Sequence, residues 1–84
     1  MIVTTVCWGN ICRSPMAERI LASALSSLEG GEGITVNSVG VSSEETGNPM
    51  DPRAARVLVA HGYDASSHAA RQVNAADIER TDLF

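Results

Sequence analysis

Lysine is absent from this chain: all six basic residues are arginine, set against ten aspartates and glutamates for a net charge of −4. An acidic chain is a poor general binder of nucleic acid or anionic membrane, although one well-placed arginine can still hold an anion locally. Cysteine is scarce. Cys7 and Cys12 are too few for a disulfide scaffold or a four-thiolate zinc site. Aromatic residues are limited to Trp8, Tyr63 and Phe84. No apolar run is long enough to span a bilayer. Met1–Val6 lacks the basic start and long apolar stretch of a secretion signal, so a cytoplasmic location is expected. Repeats and low-complexity tracts are missing as well. What remains is 84 residues, 44% hydrophobic with a mean hydropathy of +0.02, enough for one small globular domain with a thin stability margin.

Ile2–Val6 is apolar and β-branched and is expected to form a buried strand. Cys7–Arg13 contains Gly9 and Asn10 and reads as a turn. Ser14 suits a helix N-cap and Pro15 the first helical position. Met16, Ile20, Ala24 and Leu28, flanked by Leu21 and Leu25, then recur at helical spacing until Gly30-Gly31. Ile34–Val36 is expected to be a second strand, giving the βαβ unit of a parallel sheet. Val41–Asp51 reads as a loop, and Pro52–His61 as a helix stopped by Gly62. Tyr63–Val73 reads as irregular or extended chain, and Asn74–Arg80 as a short helix capped by Asn74. Asp82-Leu83-Phe84 resembles the first residues of a third strand. So little sheet leaves an exposed edge and a half-covered face. The expectation is an α/β fold, three-layer αβα around a small parallel sheet. Residues 1–84 would be the N-terminal portion of a single domain, able to self-associate through the open edge.

The chemistry concentrates in Cys7-Trp8-Gly9-Asn10-Ile11-Cys12-Arg13-Ser14-Pro15, between a strand and a helix. A loop entering a helix N-terminus aims unpaired N–H groups at one spot, where they bind a tetrahedral oxyanion. Gly9 permits close backbone approach and positive φ. Arg13 can fork onto two oxygens of the anion. Cys7 at the strand end lies beneath the anion, placed to attack its central atom in line. The helix dipole, Arg13 and a Ser14 hydroxyl bond all favour thiolate, so a lowered Cys7 pKa is expected. That suits phosphoryl transfer through a phosphocysteine. The plainer reading is a buried cysteine of no function, which the glycine, the arginine and the strand–turn–helix setting disfavour.

Val6–Glu18 resembles the phosphate-binding loop of low-molecular-weight protein tyrosine phosphatases. The resemblance continues through Val36-Asn37-Ser38, Glu45-Thr46-Gly47-Asn48-Pro49, His61-Gly62-Tyr63 and Ser67-His68-Ala69-Ala70-Arg71-Gln72. It implies Cys7 as nucleophile and Arg13 as phosphate clamp, with Trp8, Gly9, Asn10, Ile11, Cys12 and Ser14 completing the loop. Ser38 and His68 would join Asn10 and Ser14 in a supporting hydrogen-bond network. Taken alone, His68 reads as a surface or capping histidine and Ser38 as a strand-end serine. The resemblance also implies a reversible Cys7–Cys12 disulfide that protects the nucleophile; a small thiol buried beneath the loop is the alternative.

The implied substrates are phosphotyrosine proteins or small aryl phosphates, with phosphate, sulfate or vanadate as ligands and no cofactor or metal, since the loop and Arg13 supply the electrostatics. Ile11 fits this pattern better than the threonine of arginine-phosphatase-like relatives. Trp8 is larger than is usual there and would form the rim of the pocket. Glu44 and Glu45 would form an acidic cleft wall. The family's Asp-Pro general acid lies far downstream of the loop. The sole Asp-Pro here, Asp51-Pro52, stands at a helix start and is expected to be an N-cap. The reading is therefore a truncated tyrosine phosphatase lacking its acid. A non-catalytic anion-binding half-domain is an alternative, as is an arsenate reductase of the same fold, although no further cysteine follows Cys12.

Overall fold

β1 (Ile2–Cys7) and β2 (Thr35–Gly40) pair in parallel, in register from Ile2↔Thr35 to Cys7↔Gly40, in the computed structural model, which describes residues 1–84. Valine, isoleucine and threonine dominate β1, and valine and threonine make up half of β2, as a pleated, half-buried surface favours. β2 runs four residues past the apolar stretch Ile34–Val36. Its polar positions are satisfied inside the sheet: Thr4 Oγ1 donates to Asn37 Oδ1 at 2.6 Å, and Asn10 Nδ2 donates to Ser38 Oγ at 3.0 Å. Hydropathy falls there while the strand continues. Leu83 forms a parallel bridge with Val3, so the strand-like ending sits on the far edge of β1. The Thr4 N–H donates to the Leu83 carbonyl at 2.8 Å.

α1 (Arg13–Ser26) lies across β1 and β2. Its N-cap is Cys12, with no side-chain cap bond, rather than Ser14. Ser14 sits inside the first turn because its hydroxyl is taken up by the loop. Pro15 is tolerated beside it because first-turn N–H groups have no intrahelical partner. The helix ends at Ser26, before Leu28, which is 60% exposed, so the sequence stripe overshoots the helix by two residues.

α2 (Pro52–Ala60) is capped by Asp51, whose carboxylate accepts from the N–H groups of Arg53 and Ala54 at 3.2 Å each. Ala54 and Leu58 on its inner face join Met50 in a core that also takes in Met16, Tyr63 and Ala65. α3 (Ala75–Arg80) opens with a full capping box between Asn74 and Asp77.

The layering is uneven. Side chains alternate along a strand: Thr5 Oγ1 donates to the Ser14 carbonyl on the α1 side, whereas Thr4 lies against Thr81 on the other. α3 borders that second face beside Ile2 and Asn37, and Val6 there stays 43% exposed. The Cα envelope is a slab of 37 × 35 × 16 Å. No helix is long and apolar enough to cross a membrane.

Candidate active site

Cys7 is the last residue of β1, and Arg13 the first of α1. The five residues between them curl over the sulfur. The turn is made by Asn10 at φ 60°, rather than by a left-handed Gly9. Asparagine tolerates that region because its short amide bonds locally. Asn10 is fully buried, and its amide is the hub of the site.

The bond pattern fixes how that amide lies. The Arg71 N–H can only donate, and it points at Asn10 Oδ1 from 3.0 Å. Nδ2 therefore faces the two hydroxyls, donating to Ser14 Oγ at 2.8 Å and Ser38 Oγ at 3.0 Å. Ser38 passes its own proton to Glu18 Oε1. Ser14 Oγ, already accepting from Asn10, has its proton free for Cys7 Sγ at 3.0 Å. His68 Nε2 lies 2.6 Å from the Asn10 carbonyl, which only accepts, so that nitrogen is the donor. No buried side-chain nitrogen or oxygen is left without a partner.

These bonds set the state of the sulfur. Partial burial works against the thiolate. The Ser14 hydroxyl and the N–H groups of Ser14, Asn10 and Cys12 outweigh it, and the Cys7 thiol is held below its ordinary value. The direction is the expected one, and the Ser14 hydroxyl bond is one of the expected causes. Arg13 is exposed at the mouth of the loop and enters none of the ion pairs, which engage Arg19, Arg53 and Arg71.

The other expected residues also surround the loop. Trp8 is 60% exposed, and its Nε1–H donates to Glu44 Oε2 at 3.4 Å. Glu45 passes its side chain over Gly9, where an added Cβ would stand 3.1 Å from Glu45 Cγ; Glu45 Oε2 accepts from Asn48 Nδ2 at 2.7 Å. The Ile11 carbonyl accepts the Asp51 N–H at 2.7 Å, tying the loop to the start of α2. Cys7 and Cys12 are free thiols, and Cys12 is exposed rather than packed beneath the loop.

Three contributors escaped the sequence reading. Glu18 lies one turn beyond Ser14, on the same face of α1, a spacing visible in the sequence. Gly40 ends β2 directly under the loop. A Cβ there would stand 2.9 Å from the Trp8 carbonyl oxygen and 3.0 Å from the Gly9 carbonyl carbon. The Arg71 backbone bond has no sequence signal at all.

The family model for "Low molecular weight phosphotyrosine protein phosphatase" matches residues 2–84. A probable low molecular weight protein-tyrosine-phosphatase, EpsP, of Ralstonia solanacearum is 42% identical over 98% of this chain and 52% of its own length. Among solved structures, the Entamoeba histolytica protein tyrosine phosphatase, with Hepes in its active site, superposes with a TM-score of 0.92 at 33% identity, over 100% of this chain and 54% of that one. A Drosophila arginine phosphatase superposes at 0.91 with 34% identity, over 100% and 53%. The chain spans about half the length of the curated relatives it matches. With the match running nearly end to end, the chain belongs to the low molecular weight phosphotyrosine protein phosphatase family.

Proposed function

We propose that this chain carries the nucleophile and the phosphate-binding loop of a protein-tyrosine phosphatase. The observation that carries the reading is the Ser14–Cys7 contact inside a fully satisfied network, which stabilises a thiolate at the mouth of a helix N-terminus. In the first step Cys7 Sγ attacks phosphorus, forming an S–P bond as the P–O bond to the aryl group breaks. Loop N–H groups and Arg13 bind the equatorial oxygens, on which negative charge sits in the transition state. Water then attacks the phosphocysteine, releasing phosphate and restoring the thiolate. The same contacts would hold phosphate, sulfate or vanadate.

The departing oxygen of tyrosine belongs to a phenol of pKa about 10, and a proton donor to it is worth about 10²–10⁴-fold. Asp51 is committed to the α2 cap. We therefore assign no donor within these residues; the family resemblance implies an Asp-Pro pair, distinct from Asp51-Pro52, for that role. Ile11 in the loop supports a phosphotyrosine substrate over phosphoarginine.

Pre-steady-state mixing with an aryl phosphate of an acidic phenol tests the reading, because such a leaving group needs no acid. One phenol should appear per Cys7 in a rapid burst, absent in Cys7→Ser, while Cys7→Ser still binds vanadate. Arg13→Lys should lose most of both burst rate and anion affinity, since a point charge cannot reproduce the fork. Phosphate binding with no burst would instead identify a non-catalytic anion-binding module. Thiol-dependent turnover of arsenate would identify a reductase.

A further inference from the structure

Arg71 ties α3 to the loop around Cys7 with two different groups. Its backbone N–H donates to Asn10 Oδ1 at 3.0 Å. Its guanidinium forks onto Asp77, Nη1 to Oδ2 at 2.8 Å and Nη2 to Oδ1 at 2.6 Å. Asp77 is itself fixed by the α3 capping box. Its Oδ2 accepts the Asn74 N–H at 2.8 Å, and its own N–H donates to Asn74 Oδ1 at 2.9 Å. On the other side, Gly40 holds the same segment along β2, its N–H donating to the Arg71 carbonyl and its carbonyl accepting from Val73, each at 2.8 Å.

The Asn10 amide has two faces of opposite character. With Oδ1 held by Arg71, Nδ2 donates to Ser14 and leaves the serine proton for Cys7. With the Arg71 N–H displaced, the amide is free to turn over. Oδ1 would then accept the Ser14 proton, and the sulfur would lose its side-chain donor. We propose that Arg71 is a positioning residue for Cys7, locked by its fork onto Asp77 so that its N–H sets the Asn10 amide and aims the Ser14 hydroxyl at the sulfur. This deepens the phosphatase reading and rests on Cys7 as nucleophile. Neither Arg71 nor Asp77 hydrogen-bonds the sulfur. The other charged or titratable groups around the sulfur and its loop are Glu18 through Ser38, His68 through the Asn10 carbonyl, Glu45 over Gly9, Glu44 through Trp8, and Arg13 and Cys12 on the loop.

The test reads the thiol directly, in the intact protein. Iodoacetamide alkylation of Cys7, resolved from Cys12 by peptide mass spectrometry, is followed across pH. It is compared in wild type, Arg71→Ala, Arg71→Lys and Asp77→Asn, with thermal midpoints measured alongside. The Cys7 pKa should rise in all three variants, lowering the thiolate fraction below that pKa about three- to tenfold, the size of one weakened hydrogen bond to a charged group. A through-space charge effect behaves differently: losing Arg71 would raise the pKa, whereas Asp77→Asn would lower it. A fall in Asp77→Asn overturns the proposal. So does a lowered thermal midpoint with an unmoved Cys7 pKa, which marks Arg71 as merely structural. If Arg71→Ala does not fold, the two milder variants carry the same comparison. Raised pKa values in a protein that shows no burst would sink the phosphatase reading and leave this inference standing.

Discussion

The Ser14 hydroxyl is the one side-chain donor among the groups that lower the Cys7 pKa; the others are the N–H groups of Ser14, Asn10 and Cys12. The lowered pKa favours thiolate at a pH below that of free cysteine, so alkylation near neutrality is expected to run faster than that of a free thiol. Ser14→Ala removes the side-chain donor while leaving the N–H groups in place. The Cys7 pKa should climb back toward its ordinary value, and alkylation below that pKa should slow about tenfold, as a pH series of alkylation rates would show. Gly40→Ala acts on the same loop by pushing on it from below. With a Cβ 2.9 Å from the Trp8 carbonyl oxygen, the loop must lift, at a cost of about 1–3 kcal/mol. A denaturation midpoint checks the stability, and vanadate titration should show weakened affinity. The loop itself was legible in the sequence because glycine, arginine and a helix start all fall within nine residues. Gly40 and the Arg71 backbone bond were not, because close approach and main-chain bonding between distant segments leave no local pattern.

Among the elements, the start of α2 settles what Asp51 does. Its carboxylate accepts two first-turn N–H groups, and its own N–H is bonded to the Ile11 carbonyl. Asp51→Asn preserves a capping acceptor, so stability and aryl phosphate turnover should both stay near wild type. Asp51→Ala should cost about 1 kcal/mol, without selective loss for poor leaving groups. A loss in Asp51→Asn that grows with leaving-group pKa would identify Asp51 as the acid after all, and steady-state rates over a series of aryl phosphates would reveal it. Caps of this kind were readable: Asp51-Pro52 and Asn74 both stand where the sequence puts them. The ends of β2 and α1 were not readable in the same way. Asn37 and Ser38 look like a strand's end by hydropathy, yet their partners Thr4 and Asn10 lie more than 25 residues away in sequence, at separations of 33 and 28. Ser14 looks like a cap by type, but Cys7 and Asn10 claim its hydroxyl.

For the whole molecule, a slab 16 Å thick with 12 of 84 residues buried has little apolar burial to spare, so even ion pairs worth up to about 1 kcal/mol each matter to its margin. The Arg71–Asp77 fork is the best formed of them. The Arg71 hydrogen bonds hold the Asp77 carboxyl below its usual range, and Asp64 is likewise lowered, by Ser66. A carboxyl whose pKa is depressed by folding stabilises the folded state fully above its unfolded value, near 3.9, and that contribution disappears as pH falls through the lower, folded value. The Arg71 side chain is 41% exposed, so solvent screening limits the fork to about 1 kcal/mol. The denaturant midpoint of wild type should therefore hold steady from neutrality down to about pH 4 and then fall. In Asp77→Asn the unfolding free energy should start about 1 kcal/mol lower and show a shallower acid decline, the two curves converging in strong acid. Curves that remained parallel throughout would mean that the Asp77 charge does not contribute to stability, and that the fork holds α3 through its hydrogen bonds alone.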